Sequence, residues 1–542
     1  MTCRAVLLGF AVVLVLPGYE DSGSAVCAEC HRAIFESYRG TPMASSSGIA
    51  EPGAVRFEHA SFTHAQTGFR YRVSAKDGRL QMEFEKPGAG SSGSKVLAYR
   101  VGSGASARSY LLSDGGFLYE APVAYYSAKM AWGLAPGYER YPYPYLTRPI
   151  VPACLACHAS FLDAVPATLN RYGSPPFREG GVACERCHGP GAAHIARMQS
   201  GKRAGGAAIV NPVTLSADRR DSICAQCHLT GEVRVMRPGS DWRSFHPGDR
   251  LSDSQTIFVR AAASPGVTVT SHAEKLALSR CKQGAGDRLW CGSCHDAHRV
   301  PKASERAAWY RAKCAACHPP ADCREAAEVR RVSQDDCTAC HMPKSAAADA
   351  QHVVYTDHSI PRRPRPAVQP AVAGELVAFA GFRSTQRDLA LAYAIAAPRE
   401  GNTADRARAL ALLEKASREA PDDVEVLLYL AEIYRNDGRG GLAIPLYQRA
   451  IQLDPSQVTA SVGLGGVLME RGQYAEAIRL WQDALAKNAG LELVRVNLAM
   501  AYWKTGDARA AESALHQALE LNPAFAPAAQ LLEQVKHAAP PR

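Results

Sequence analysis

Three hydrophobic patterns succeed one another along the 542 residues. The first is an unbroken apolar run, AVLLGFAVVLVL at 5–16, preceded by Arg4 and ended by Pro17 and Gly18. A run of twelve is short for a bilayer span and fits the core of an export leader. Residues 1–25 are therefore expected to be a signal peptide, cleaved between Gly18 and Ala25, with a retained anchor as the alternative. The second pattern is alternation. FRYRV (69–73) and LQMEF (80–84) alternate apolar and polar positions around SAKDG (74–78), which predicts a β-hairpin. RSYLLSDGGFLYEAPVAYYS continues with strand-like pieces and glycine turns, so about 55–125 reads as a small β-rich insertion. The third pattern is a strict 34-residue period near the C-terminus.

That period is carried by Gly438, Gly472 and Gly506, by Leu430, Leu464 and Leu498, and by Ala450, Ala484 and Ala518. Asp454-Pro455 recurs as Asn488-Ala489 and Asn522-Pro523. These offsets are the tetratricopeptide signature. The units fall at 424–457, 458–491 and 492–525, with a looser first repeat at 383–423 and a capping helix at 526–537. One helix pair cannot bury its apolar face alone, so the array of 383–537 should stack into an α-solenoid. The Pro-rich stretch 361–382 reads as a linker before it.

Between these patterns the chain is written in cysteine. Seventeen cysteines occur, and fourteen belong to seven Cys-x-x-Cys-His motifs. The thiol pairs are Cys27/Cys30, Cys154/Cys157, Cys184/Cys187, Cys224/Cys227, Cys291/Cys294, Cys314/Cys317 and Cys337/Cys340. The trailing histidines are His31, His158, His188, His228, His295, His318 and His341. Each motif supplies two thioether links to a haem and an axial imidazole, so seven covalently attached haems c are expected. A redox CxxC would not repeat with a histidine each time, and zinc knuckles do not require it. From 154 onward the motifs start 30, 40, 67, 23 and 23 residues apart, which leaves little room for a side-chain core. Haems would fill that role, joined by short helices and loops. The whole reads as mainly α, with little regular secondary structure in a heptahaem region at 26–360, the β insertion and the terminal solenoid. The Tyr/Pro-rich YERYPYPYLTRP (138–149) is expected to wrap haem faces.

Eight further histidines lie in that region: His59, His64, His194, His246, His272, His298, His352 and His358. Full bis-histidine ligation needs seven of them, and His246 is set aside as the spare. Met43 is an alternative sixth ligand. No histidine follows closely on the motifs of His31 and His228, so if one iron were open it would be expected at one of those two. Cys281 and Cys323 bracket two motifs and are candidates for a disulfide.

The stretches CAECHRAIFESYRGTPMASS, GVACERCHGPGAAH, SRCKQGAGDRLWCGSCHDAH and DCTACHMPK with HVVYTDHSI resemble multihaem cytochromes c of the cytochrome c554-like class fused to tetratricopeptide repeats. The resemblance implies an exported electron-transfer protein with mostly bis-histidine haems. It implies His194, His272, His298 and the His352/His358 pair as sixth ligands. Members differ in haem number and in whether one iron is open, so no substrate chemistry follows from it.

Net charge is +10 and spread along the chain apart from PRRPRP at 361–366, which gives nucleic acid no surface. No phosphate loop, hydrolase triad or second membrane-length run appears. The expected role is an electron relay in the periplasm or outside the cell. Its array would dock redox partner proteins or a second copy. The alternatives are a haem enzyme acting on a small nitrogen or sulfur compound, and a subunit of an extracellular cytochrome filament.

Overall fold

The computed structural model describes residues 22–88, 91–139, 141–201, 208–261, 268–347, 352–363 and 374–537. Most of the expected leader and residues 364–373 of the expected linker lie outside them.

The hairpin is Arg70–Lys76 against Arg79–Lys86, antiparallel, with Lys76 opposite Arg79. Tyr71, Val73, Leu80, Met82 and Phe84 point inward and are buried. Asp77 and Gly78 turn the chain at φ 50° and 73°, the left-handed pair that a two-residue hairpin loop requires. Ser61–Thr63 and Ser91–Leu97 complete a four-stranded sheet. A six-stranded sheet packs beside it, centred on Ala107–Asp114 and Phe117–Tyr126.

Strand structure extends well beyond the small insertion expected. Seventeen strands occur among the described residues, from Ser47–Ile49 to Leu376–Ala378. Low regular structure in the CxxCH-bearing part is therefore corrected. Phe117–Tyr126 is buried at nine of ten positions, so it reads as an apolar run without alternation. Most of the others, such as Lys344–Ala346 with Val354–Thr356, are too short to display a period. Leu376–Ala378 lies in the expected linker, yet it pairs with Gln255–Arg260 as the third strand of a sheet.

The C-terminal helices come in antiparallel pairs: Gln386–Glu400 with Thr403–Glu419, Val424–Asn436 with Gly440–Leu453, Val458–Glu470 with Tyr474–Lys487, and Glu492–Lys504 with Ala508–Leu521. Ala526–His537 closes the series. Ala450, Ala484 and Ala518 are fully buried. Gly438, Gly472 and Gly506 leave each first helix at φ 72°, 73° and 86°, the C-terminal position where glycine carries no Cβ penalty.

Both ends of the array are fastened to the N-terminal part. At the first repeat, Arg237 meets Asp388 at 2.8 Å and Arg260 meets Asp405 at 2.6 Å, and both carboxylates are buried. At the last, Thr147 Oγ1 donates to Glu492 Oε1 at 2.8 Å and Asn522 Nδ2 donates to the Pro144 carbonyl at 2.9 Å. Tyr143 packs on Phe525 at 5.5 Å between ring centres. The Tyr/Pro segment is thus cement between sheet and array, and its tyrosines do not line the space around the CxxCH motifs. Among the described residues, no helix is long and apolar enough to cross a membrane.

Candidate cofactor-binding site

Helical turns present the motifs. In three of them the histidine N–H donates to the carbonyl of the first cysteine, at 3.0 Å for His188, 2.9 Å for His295 and 2.9 Å for His318. This turn places both thiols and the imidazole on one side of the backbone. All seven motifs contribute residues to one continuous cavity of about 4740 Å³. Ordinary ligand pockets measure about 300–1,000 Å³.

Histidines face one another across this cavity. Two imidazoles bonded to one metal from opposite sides, at about 2 Å each, stand with ring centres about 6 Å apart. His31 and His194 are stacked at 6.5 Å with 19° between planes. His188 and His298 are stacked at 5.9 Å and 11°. His295 and His358 lie at 6.2 Å and 31°. His228 meets His272 at 5.0 Å but edge-on at 86°, and His272 also lies 4.9 Å from His358.

The ring nitrogens are oriented for ligation. His188 Nδ1 donates to the Val210 carbonyl at 2.8 Å, His341 Nδ1 to that of Pro361 at 3.1 Å, and His358 Nδ1 to that of Thr356 at 3.0 Å. A carbonyl only accepts, so each Nε2 carries the free lone pair. Burial holds His158, His228, His295, His298 and His358 below the usual histidine range. His272 is pushed down to about 3 by burial, then by His228, His358 and His295. Neutral imidazole is the metal-binding form. Buried Nδ1 atoms of His158 and His272 have no hydrogen-bond partner.

The motifs touch in an order that differs from the sequence. The Cys27 thiol lies against that of Cys184, Cys157 against Cys227, Cys224 against Cys291, and Cys314 against Cys337. Arg186 and Gln226, inside the third and fourth motifs, exchange bonds of 2.8 and 3.1 Å. Ser24 Oγ accepts from Cys184 N at 3.1 Å, and Ser37 Oγ donates to the His298 carbonyl at 2.8 Å. The first motif therefore adjoins the third, the third the fourth, the fourth both the second and the fifth, and the sixth the seventh.

These residues suit covalently held haem. The facing imidazoles would supply two axial donors to an iron held between them. Among the described residues, no three His, Cys, Asp or Glu side chains converge as a bare-ion site. Residues 302–347 carry the sixth and seventh motifs and contain no buried residue; Val332 is 88% exposed. A segment of three helices without a side-chain core needs a large apolar partner.

Several expectations change here. Two of the expected tethering thiols, Cys30 and Cys154, are exposed and do not line the cavity, whereas the other twelve motif cysteines do. Cys30 stands one residue before a break in the helix Ser24–Arg39, at His31 with φ −114° and ψ 40°. The break brings the His31 imidazole to the cavity and leaves the Cys30 side chain at the surface. In the second motif the helix Pro152–Leu155 ends immediately after Cys154, and a turn closed by His158 N donating to the Leu155 carbonyl at 2.8 Å carries Cys157. His194 follows the third motif but faces the first, and His298 follows the fifth but faces the third. His31, expected to lack a partner, has one. His59, His64 and His352 lie outside the cavity lining. His59 is exposed; His64 is buried against Thr67, with Nδ1 2.9 Å from Oγ1. His352 Nδ1 lies 2.7 Å from Lys129 Nζ. His246 also lies outside, beside Asp249 at 3.6 Å. Met43 lines the cavity, and Ser46 Oγ sits 2.9 Å from both the Met43 and His158 carbonyls. Cys281 and Cys323 are both free thiols. Sequence reasoning misses the Phe379–Arg383 turn, which lines the cavity after the short strand Leu376–Ala378. Its FxxF spacing is the available signal.

A family model described as cytochrome c554 and c-prime matches residues 145–189, which include the motifs at Cys154 and Cys184. Tetratricopeptide-repeat models match 396–458, 438–492 and 468–535. Human protein O-mannosyl-transferase TMTC1 is 34% identical over 110 residues, 20% of this chain; the chain spans only 12% of the length of that curated relative. Among solved structures, one of MamA is 24% identical and covers 26% of this chain and 81% of its own, with a TM-score of 0.25. PilF of Pseudomonas aeruginosa is 20% identical and covers 28% and 67%, with a TM-score of 0.25. The chain thus carries a cytochrome c554-like segment and, C-terminal to it, a tetratricopeptide array.

Proposed function

We propose that this protein is an exported multihaem c-type cytochrome that relays electrons, with seven haems tethered by its CxxCH motifs. The observation that carries this reading is the set of facing imidazole pairs at 5.9–6.5 Å inside one cavity lined by every motif. When bound, haem iron supplies reversible one-electron chemistry. The chain's own residues do the rest. His194, His298 and His358 would hold the sixth position opposite His31, His188 and His295 and so close those sites to small molecules. Val210, Pro361 and Thr356 carbonyls fix the imidazole tautomers. The interlocked motifs would hold neighbouring haems close together, from the first through the third, fourth and fifth, so that electrons would have short steps. Tetratricopeptide repeats commonly bind protein segments. The array is the surface assigned to a redox partner or a second copy. A periplasmic or extracellular location follows from the reading of residues 1–25 as a leader.

The enzyme reading narrows to His158, His318 and His341: among the described residues, no histidine ring stacks on any of them at the spacing of the three pairs, and His228 meets His272 only edge-on.

The test is a haem count by pyridine haemochrome on purified full-length protein, followed by carbon monoxide titration of the reduced form. The expected result is a covalent count near seven with at most one or two irons binding carbon monoxide. Replacing His194 by Ala should add one reactive iron, and His352→Ala should add none. Haem removed by acidic acetone would overturn the reading.

A further inference from the structure

The sixth motif is one of those without a facing imidazole. The His318 imidazole has Cys281 before it: Sγ stands 4.0 Å from Nε2. Both residues line the shared cavity. Metal–sulfur and metal–imidazole bonds of about 2.3 and about 2.0 Å would set those atoms about 4.3 Å apart across one iron. The three imidazole pairs follow the same rule in this molecule, which makes them an internal standard for a facing axial pair.

The backbone holds Cys281 in place. It sits in the first turn of Arg280–Ala285, which Ser279 caps by accepting from Lys282 N at 3.0 Å. Ser279 itself is fully buried. Lys282 Nζ is tied to the Leu289 carbonyl at 2.7 Å and to Asp221 at 3.3 Å, so the turn is anchored on both sides of the thiol. Cys281 is outside every CxxCH motif and forms no disulfide, so its sulfur is available as a ligand.

The geometry points to Cys281 as the sixth, thiolate ligand of the haem tethered by Cys314 and Cys317 and ligated by His318. This rests on the haem reading above and specifies one site within it. On ligation the thiol loses its proton to solvent and the sulfur gives a lone pair to iron; no electron is transferred. A thiolate pushes more electron density onto iron than an imidazole does. The site of His318 would then hold a lower potential than a bis-histidine neighbour.

Electron paramagnetic resonance of the oxidised full-length protein tests this, with the haem count measured on the same samples. The expected wild-type spectrum contains one low-spin species of small g-anisotropy per molecule, beside the broader bis-histidine signals. Cys281→Ala should abolish it and add one carbon monoxide-reactive iron, with the haem count unchanged. Cys281→His should convert it to a bis-histidine signal, and Cys323→Ala should leave it intact. A wild-type spectrum without that species, or its persistence in Cys281→Ala, would falsify the assignment while the haem reading stands. A haem count of zero would remove both.

Discussion

Residues 302–347 and the helical array are built on opposite terms. In the array, Tyr447, Trp481 and the small residues Ala450, Ala484 and Ala518 are buried side chain against side chain. In 302–347 nothing is buried, although three helices form and two CxxCH motifs are displayed. One region carries its core in its own sequence. On the proposed haem reading, the other presents thiols and imidazoles to a core that would arrive as a cofactor. The lesson is that a regular helix assignment does not imply a self-sufficient fold. The location of the apolar partner decides it.

The sharpest way to break this comparison is to untether one cofactor. Cys314→Ala with Cys317→Ala should leave 302–347 without a partner. Its proteolytic cleavage should rise by more than about tenfold, as expected when local opening loses its cost. The array's far-ultraviolet circular dichroism should hold. Equal protease resistance in variant and wild type would mean that side chains alone hold the segment.

The mirror experiment is Trp481→Ala. Trp481 is 1% exposed, and its truncation should cost about 3–5 kcal/mol. Denaturant unfolding should report that loss in the array, with the Soret spectrum unchanged. A spectral change would show that the array supports the iron ligands as well as itself.

A smaller effect concerns the seam between the two regions. Burial pushes Glu492 up to about 7, against the opposing bonds from Thr147 and Asn522. The folded state therefore keeps a proton that the unfolded state gives up at ordinary carboxylate pH. Stability from this group is retained at low pH and lost as pH rises from about 4.5 to about 7, by up to about 3 kcal/mol. Glu492→Gln should flatten that slope in a thermal melt series and gain most near neutral pH. Parallel pH profiles for variant and wild type would place the sensitivity elsewhere.

Legibility in the sequence follows the range of the interaction. The 34-residue period reveals the array because each repeat contacts mainly its neighbours, so local spacing encodes the packing. The first hairpin is legible because one face is buried and the other wet. Phe117–Tyr126 hides its strand because both faces are covered. The role of the Tyr/Pro segment is hidden because its partner, Phe525, lies nearly four hundred residues away.

For the site, the sequence by itself determined which residues are offered as tethers and proximal ligands. Two thioethers and one imidazole must come from a single short segment, and that constraint is local. Only the tertiary structure decided who faces whom, and which thiols, such as Cys30, stand at the surface. His194 turns to His31, His298 to His188 and Cys281 to His318, because a distal donor is set by how separate segments pack around a shared cavity. No spacing rule along the chain records that choice.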